Sequence, residues 1–376
     1  MRDIQMVDLK SQYQFIQKEV AEGMAEVFEN TAFINGPMVK AFQSDLEAYL
    51  SVKHVIPCAN GTDALQIALM GLKLLPGDEV ITADFTFAAT VEVISLLKLK
   101  PVLVDVDPKT FNIDPAAIEK AITPKTKAII PVHLFGQCAA MDAISDIAKK
   151  HNLFIVEDNA QGIGATYTYA NGTKAKTGTL GHVAATSFFP SKNLGAYGDG
   201  GAIFTNDDDL AHFIRGIVNH GMYKRYYHDV VGVNSRLDAL QAAVLKVKLK
   251  YLDFYNERRK EAALSYSNYF KDHPNLIVPF RLGDCKSHVF HQYTLKVVEA
   301  DRDALVDHLS KNKIPCEIYY PVPLHAQKAY ADPHVDSAQF PVTKQLVNQV
   351  VSLPMHSELT TDQIDHIAAK VLDFFD

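Results

Sequence analysis

Apolar and polar positions change rhythm along this chain. Residues 11–29 and 37–51 place apolar side chains at helical spacing, which predicts two amphipathic helices. Gly36-Pro37 separates them and puts Pro37 in the first turn of the second, where its missing N–H costs nothing. From residue 54 short apolar runs take over: His54–Cys58, Glu79–Ala83, Pro101–Asp105, Lys127–Val132 and Leu153–Glu157. Helical stretches lie between them at Asp63–Leu74, Thr86–Lys98, Pro115–Ala121 and Ala139–Lys150. Strands that are apolar on both sides and alternate with helices predict an α/β fold, with a mostly parallel sheet covered on both faces. Two further runs, Val183–Phe188 and Gly201–Thr205, close this region.

A long helical segment over 235–270, carrying Arg258-Arg259-Lys260, reads as a connector. Beyond it Phe290–Val298, Arg302–Lys311, Cys316–Ile318, Val342–Val350 and Thr361–Phe374 mix strands and helices, as a smaller α+β domain would. The expected division is a large domain over 1–245, with the N-terminal helices, and a small one over 246–376.

Composition narrows the classes. A chain of 376 residues, 48% hydrophobic and 22% charged, is neither disordered nor fibrous. A net charge of −7 without a basic cluster argues against nucleic acid but permits a local basic pocket. No apolar run approaches the ~18 residues of a membrane helix, and Met1–Asp8 lacks the apolar core of a signal peptide, so a cytoplasmic protein is expected. Cys58, Cys138, Cys285 and Cys316 form no C-x-x-C pair, which makes buried thiols the plain reading.

Three polar stretches fall at the carboxyl ends of the expected strands, where open parallel sheets gather ligands. Ala59-Asn60-Gly61-Thr62-Asp63 opens a helix, whose free N–H groups suit an anion, although a simple N-cap explains it as well. Asp158 ends a strand, where a buried carboxylate needs a partner. Lys192 follows Ser187-Phe188-Phe189-Pro190-Ser191, and a lysine desolvated by aromatics has a lowered pKa and an amine free for imine chemistry. Each feature alone is weak. Together, in this order on one sheet edge, they are the three groups that pyridoxal phosphate needs: an anion site for its phosphate, a lysine for its aldehyde and a carboxylate for its ring nitrogen.

These residues resemble the DegT/DnrJ/StrS sugar aminotransferases, pyridoxal-phosphate enzymes of the aspartate-aminotransferase fold (fold type I). The resemblance spans nearly the whole chain. It is densest in Cys58–Leu65, Pro76–Thr90, Ala128–Gln137, Val156–Gln161, Thr186–Asn206, Gly232–Ala243 and Tyr320–Leu324. It implies that Lys192 takes the cofactor aldehyde, Asp158 partners the pyridinium and Gln161 contacts the ring hydroxyl. Gly61, Thr62 and Ser187 match the phosphate cradle. Phe87 matches the aromatic stacked on the ring, with Phe85 as the alternative register. Asn234 matches an asparagine that reaches the cofactor phosphate of a neighbouring subunit, which implies a homodimer with shared sites.

The same resemblance implies glutamate as amino donor and the 3-keto carbon of a nucleotide-linked sugar as acceptor. The best local match is to enzymes acting on UDP-2-acetamido-3-oxo-hexuronic acid, on the way to bacterial surface polysaccharides. Arg236, in Asn234-Ser235-Arg236-Leu237-Asp238, suits a bidentate grip on a carboxylate. Phe33, Tyr319 and Tyr320 are expected beside the sugar. Relatives acting on uronates carry His-Tyr-Pro where this chain has Tyr319-Tyr320-Pro321, which brings in a dTDP-3-oxo-6-deoxyhexose as the alternative acceptor. Rival readings are a sugar dehydratase, a metal-binding Asp105-Val106-Asp107 as in glycosyltransferases, and a non-catalytic regulator on the same fold. His133, His220, His291 and His356 have no metal spacing and read as structural or surface groups, and of the four His133, at a strand end, is the one best placed to line the pocket.

Overall fold

The computed structural model describes residues 2–281 and 286–376. A seven-stranded sheet runs, edge to edge, through His54–Cys58, Gly201–Thr205, Val183–Ser187, Phe154–Asp158, Thr126–Ile130, Glu79–Ala83 and Lys100–Val104. Gly201–Thr205 is antiparallel to both of its neighbours, and the other pairings between neighbouring strands are parallel. Prolines sit in the two edge strands, Pro57 and Pro101, where a missing ladder donor is tolerated.

Alternation along the strands explains the two-sided burial. Val55, Ala184, Ala202 and Phe204 point into a core shared with the helices Pro37–Leu50 and Ala239–Leu249. Their neighbours Ile56, Ala185 and Ile203 point the other way, against the helices Gly61–Gly71 and Asp208–Ile217. Across the sheet Val80, Ala128 and Val156 join that second core. Ile81, Ile129 and Ile155 turn to a third, under the helix Met141–His151. Successive side chains on a strand face opposite sides, so a strand buried on both faces must be apolar throughout. The expected α/β fold is the one observed.

A separate three-stranded antiparallel sheet, Leu276–Ile277, Tyr293–Val297 and Val350–Leu353, packs with the helices Leu252–Phe270, Arg302–Lys311 and Thr361–Leu372 around Tyr266, Phe270 and Tyr293. The single helix expected over 235–270 is two, Ala239–Leu249 and Leu252–Phe270, interrupted at Lys250-Tyr251. The first half packs with the N-terminal helices and the second with the small sheet, so the break lets one connector serve two cores. Cys58 and Cys138 are buried and Cys316 is half-buried, all as free thiols, while Cys285 lies outside the described residues. No helix among the described residues is long and apolar enough to cross a membrane.

One buried cation is uncompensated. Lys248 is 0% exposed, its Nζ has no hydrogen-bond partner among the described residues, and it lies 5.5 Å from the Tyr197 ring centroid. Burial pulls its pKa down to about 7, and the nearby Arg259 adds to that. The unfolded chain holds this proton up to the ordinary lysine value of 10.5, so between about pH 7 and 10.5 stability from this group rises with pH. Lys248→Met is therefore expected to stabilise the fold by about 1 kcal/mol or more near pH 7. It should also flatten the rise of melting temperature above neutrality, and thermal unfolding from pH 6 to 10 measures both.

Candidate active site

The site grows from three strand ends. Phe154–Asp158 finishes in two carboxylates that point to opposite faces. Glu157 is fully buried and accepts hydrogen bonds from the backbone N–H groups of Gly178, Leu180 and Gly181 at 2.6–2.8 Å. It also pairs with His133 Nε2 at 2.9 Å, and Ala139 N–H donates to His133 Nδ1 at 3.1 Å. His133 is thus a core histidine with both nitrogens engaged, in keeping with the structural reading and not with a place in the pocket lining.

Asp158 faces the other way. Its Oδ2 accepts from the Thr90 hydroxyl at 2.8 Å and its Oδ1 from Ala160 N–H at 3.1 Å. Burial pushes its pKa up, while Thr90, Ala160 and the positive charge of Lys192 pull against that. Thr90 lies 68 residues away in sequence and went unrecognised there, because a threonine inside a helix gives no local signal of a long-range partner.

Lys192 follows Val183–Ser187 on a tight turn: Lys192 N–H donates to Phe189 O at 2.8 Å, and Ala196 N–H to Phe188 O at 2.7 Å. Gly195 is required there, because a Cβ would stand 2.3 Å from Pro190 O. The next residue, Asn193, is anchored through its Nδ2 to Asn256 Oδ1 at 2.7 Å and Val289 O at 3.0 Å. Burial lowers the pKa of Lys192 to about 8, with the Asp158 charge opposing it. Its amine makes no hydrogen bond or ion pair with any described residue. His291, 5% exposed, lies within electrostatic reach of Lys192 and Arg259 and is held well below the usual histidine range, mainly by burial. Its Nδ1 has no partner, so the structural role expected for it leaves this atom unexplained.

Around these groups, Gln161 Oε1 accepts from Phe135 N–H at 2.7 Å, and Gln161 Nε2 donates to the Tyr320 hydroxyl at 3.3 Å. Phe87 is 57% exposed and its ring centroid lies 6.3 Å from that of Tyr320. Phe85 is enclosed at 1% by the rings of Phe111, Phe135 and Tyr320, so of the two registers only Phe87 presents an open face. Tyr319 is half-buried, 5.9 Å from Tyr320 between ring centroids.

The third strand end adjoins the helix Gly61–Gly71. Asn60 is its N-cap, accepting from Asp63 N–H at 2.8 Å. A Cβ on Gly61 would meet Ser187 Cβ at 2.6 Å, so only glycine lets the helix start approach that strand end. The first N–H groups of a helix have no partner within it, and here the helix starts at Gly61, against Ser187.

Asn234, Arg236 and Phe33 form a neighbouring strip. Phe33 O accepts from Ala239 N–H at 2.9 Å, and Ser235, between Asn234 and Arg236, accepts from Ala59 N–H at 3.1 Å. Asn234 is exposed, and half-buried Arg236 Nη1 donates to Asn219 Oδ1 at 3.3 Å. Among the described residues, no hydrogen bond, ion pair or ring contact joins this strip to Lys192, Asp158 or Gln161.

A model of the DegT/DnrJ/EryC1/StrS aminotransferase family matches residues 14–372. The chain belongs to that family. It is 46% identical over 98% of its length to a UDP-2-acetamido-2-deoxy-3-oxo-D-glucuronate aminotransferase of Pseudomonas aeruginosa, covering 99% of that protein. It is also 46% identical, over 99% of both chains, to a protein of Geobacillus stearothermophilus named a pleiotropic regulatory protein. Among solved structures, S. venezuelae DesV in complex with a ketimine intermediate superposes with a TM-score of 0.94 at 37% identity, covering all of this chain and 99% of that one.

In this aminotransferase the metal reading of Asp105-Val106-Asp107 fails. Asp105 accepts from Val342 N–H, Thr343 N–H and the Thr343 hydroxyl at 2.8–2.9 Å, which caps the helix Pro341–Gln349. Asp107 accepts from Lys109 N–H, Thr110 N–H and the Thr110 hydroxyl at 2.7–3.0 Å. No metal-ligating cluster of His, Cys, Asp or Glu occurs among the described residues.

In the cofactor-free protein Lys192 should react with an amine reagent with a midpoint near pH 8 rather than the ordinary 10.5. Because the Asp158 charge raises that value, Asp158→Asn should move it lower still. Peptide mapping of the labelled lysine across pH checks both, and an unshifted midpoint contradicts the desolvation argument.

Proposed function

We propose that this protein is a pyridoxal-phosphate-dependent aminotransferase that moves an amino group from glutamate to the 3-keto carbon of a nucleotide-linked sugar, UDP-2-acetamido-3-oxo-hexuronic acid, in the making of bacterial surface polysaccharide. The observation that carries it is a desolvated, unbonded lysine amine beside a buried strand-end carboxylate. The residues fit the cofactor: Gly61 leaves a cradle that a Cβ would fill, and Thr86 Oγ1 and His291 Nδ1 are buried without partners among the described residues.

When bound, pyridoxal phosphate supplies the electron sink that allows an amino acid α-proton to leave. Asp158, fixed by Thr90, would keep a proton on the ring nitrogen. Gln161 would hold the ring hydroxyl, Phe87 would cover the ring, and Gly61, Thr62 and Ser187 would hold the phosphate. Lys192 would hold the aldehyde through its amine, and that amine is the base placed to take the substrate Cα proton and to give it back. A base works best with a pKa near the operating pH, and about 8 meets that condition. Glutamate would supply the nitrogen and become its keto acid, and the sugar ketone would receive that nitrogen.

Arg236 grips the uronate carboxylate, and the glutamate α-carboxylate when the donor is present. A homodimer completes the site, with Asn234 reaching the partner's cofactor phosphate. The exposure of Asn234 beside Tyr226, Tyr227 and Val231, at 76%, 58% and 85%, supports that reading. The second acceptor, a dTDP-3-oxo-6-deoxyhexose, is favoured by Tyr319 standing where uronate enzymes carry histidine.

Lys192→Arg should lose the borohydride-trappable bond and at least ~10³-fold in turnover. Glutamate should convert the aldehyde absorbance of the wild type to the amine form. Arg236→Gln should weaken the glutamate half-reaction with either sugar, but should cost about 10–100-fold in kcat/KM for the uronate and little in kcat/KM for the 6-deoxy sugar. Steady-state kinetics with each sugar decides the acceptor.

A further inference from the structure

The segment bearing Tyr319 and Tyr320 lies more than 230 residues beyond the strand Glu79–Ala83, yet it is fastened to that strand's end. The fastening is Asp84. Its carboxylate, 0% exposed, accepts from His325 N–H at 2.8 Å and from His325 Nδ1 at 2.7 Å, and its carbonyl accepts from Leu324 N–H at 3.1 Å. Asp84 N–H in turn donates to Val104 O at 2.9 Å, which ties the residue to the neighbouring strand. The His325 ring lies flat on Phe340, with centroids 4.6 Å apart and planes at 14°.

Three residues after Asp84 comes Phe87, whose ring meets Tyr320. Five residues before His325 is Tyr320, which also meets Phe85 and Phe135 and receives the Gln161 amide. One carboxylate–imidazole hydrogen bond, backed by two backbone ones, thus holds the two sides of this wall in register. Lys192 and Asp158 do not depend on it, since their anchors are Phe189, Thr90 and Ala160. Removing the imidazole leaves Asp84 Oδ2 buried without its donor, while Oδ1 keeps the His325 N–H, and an acceptor buried without its donor costs more than a lost exposed contact would.

We propose that Asp84 and His325 are a positioning pair that fixes Tyr319 and Tyr320 as one wall of the pocket, and thereby sets affinity for the sugar acceptor rather than the cofactor bond or the glutamate half-reaction. This rests on the aminotransferase reading above. A nucleotide sugar is large enough to need this wall, whereas a small amino acid held at Lys192 is not.

The test compares His325→Ala with His325→Asn in the holoenzyme, because the asparagine amide takes the place of Nδ1 and keeps the donor to Asp84. His325→Ala should raise KM for the nucleotide sugar by about 10-fold or more, change kcat by less than about threefold, and leave the rate of amine formation with glutamate within about twofold. His325→Asn should recover most of the loss. Amide hydrogen exchange over 319–326 should run at least ~10-fold faster in His325→Ala, with 80–84 unchanged. The pair is overturned if sugar KM stays at the wild-type value in the folded alanine variant, if both half-reactions decline together, if asparagine fails to rescue, or if exchange over 319–326 does not change. A wild type that neither traps the cofactor at Lys192 nor reacts with glutamate overturns the aminotransferase reading instead, and the exchange comparison still decides the pair.

Discussion

Both faces of the seven-stranded sheet are covered, so its polar residues are confined to the strand ends, and there each carboxylate must find a donor or stay protonated. Three carboxylates emerge close together at the same end of the sheet. Asp105 satisfies itself on the first turn of the helix Pro341–Gln349. Asp84 does so on the backbone and ring of His325. Both tie a distant segment of the C-terminal third to the sheet. Asp158 takes one hydroxyl and one N–H, and beside it stands an amine that no described residue binds. The same physical demand therefore yields two struts and one reactive pair.

That pair is a compromise of opposing charges. Burial alone would neutralise both groups, raising the carboxyl and lowering the amine, while their mutual attraction favours the charged forms. The net effect leaves Lys192 within a unit of neutrality, where it can both give and take a proton. Lys248 is the contrasting case, more deeply buried than the half-buried Lys192 and with no carboxylate pulling against burial, so that burial and Arg259 act in the same direction.

The parts of this architecture legible in the sequence were those with a local cause. Two-sided burial makes a strand apolar throughout, so the seven runs stood out, and Pro37 and Pro115 marked helix starts that the fold reproduces. The expected helix Thr86–Lys98 starts later, at Ala89, because Asp84-Phe85-Thr86-Phe87 is spent on the strand end and its rings. Residues whose role depends on a remote partner stayed hidden. Thr90 acts through Asp158, Asp84 through His325 across 241 residues, and His133 turns inward because Glu157 gathers three loop N–H groups and needs a fourth donor. Spacing along one chain carries no trace of such pairings. The break at Lys250-Tyr251 was equally invisible, since both halves of the connector are good helix formers and only the direction of the two cores separates them.

Arg236 bears most directly on the choice of acceptor. Its guanidinium is half-buried, and its described hydrogen-bond partner is the neutral amide of Asn219. A guanidinium presents five donors in a fixed fork, and desolvating it without an acceptor is costly. Glutamate would offer a carboxylate during the first half of the reaction. A uronic acid would offer one again during the second, so that a single residue is satisfied in both. A neutral 6-deoxyhexose would satisfy it only in the first, leaving the fork facing a methyl group when the sugar is bound. This asymmetry is the support for the proposed uronate acceptor, and Tyr319 is compatible with it, because a tyrosine hydroxyl can donate to a carboxylate whose charge Arg236 balances.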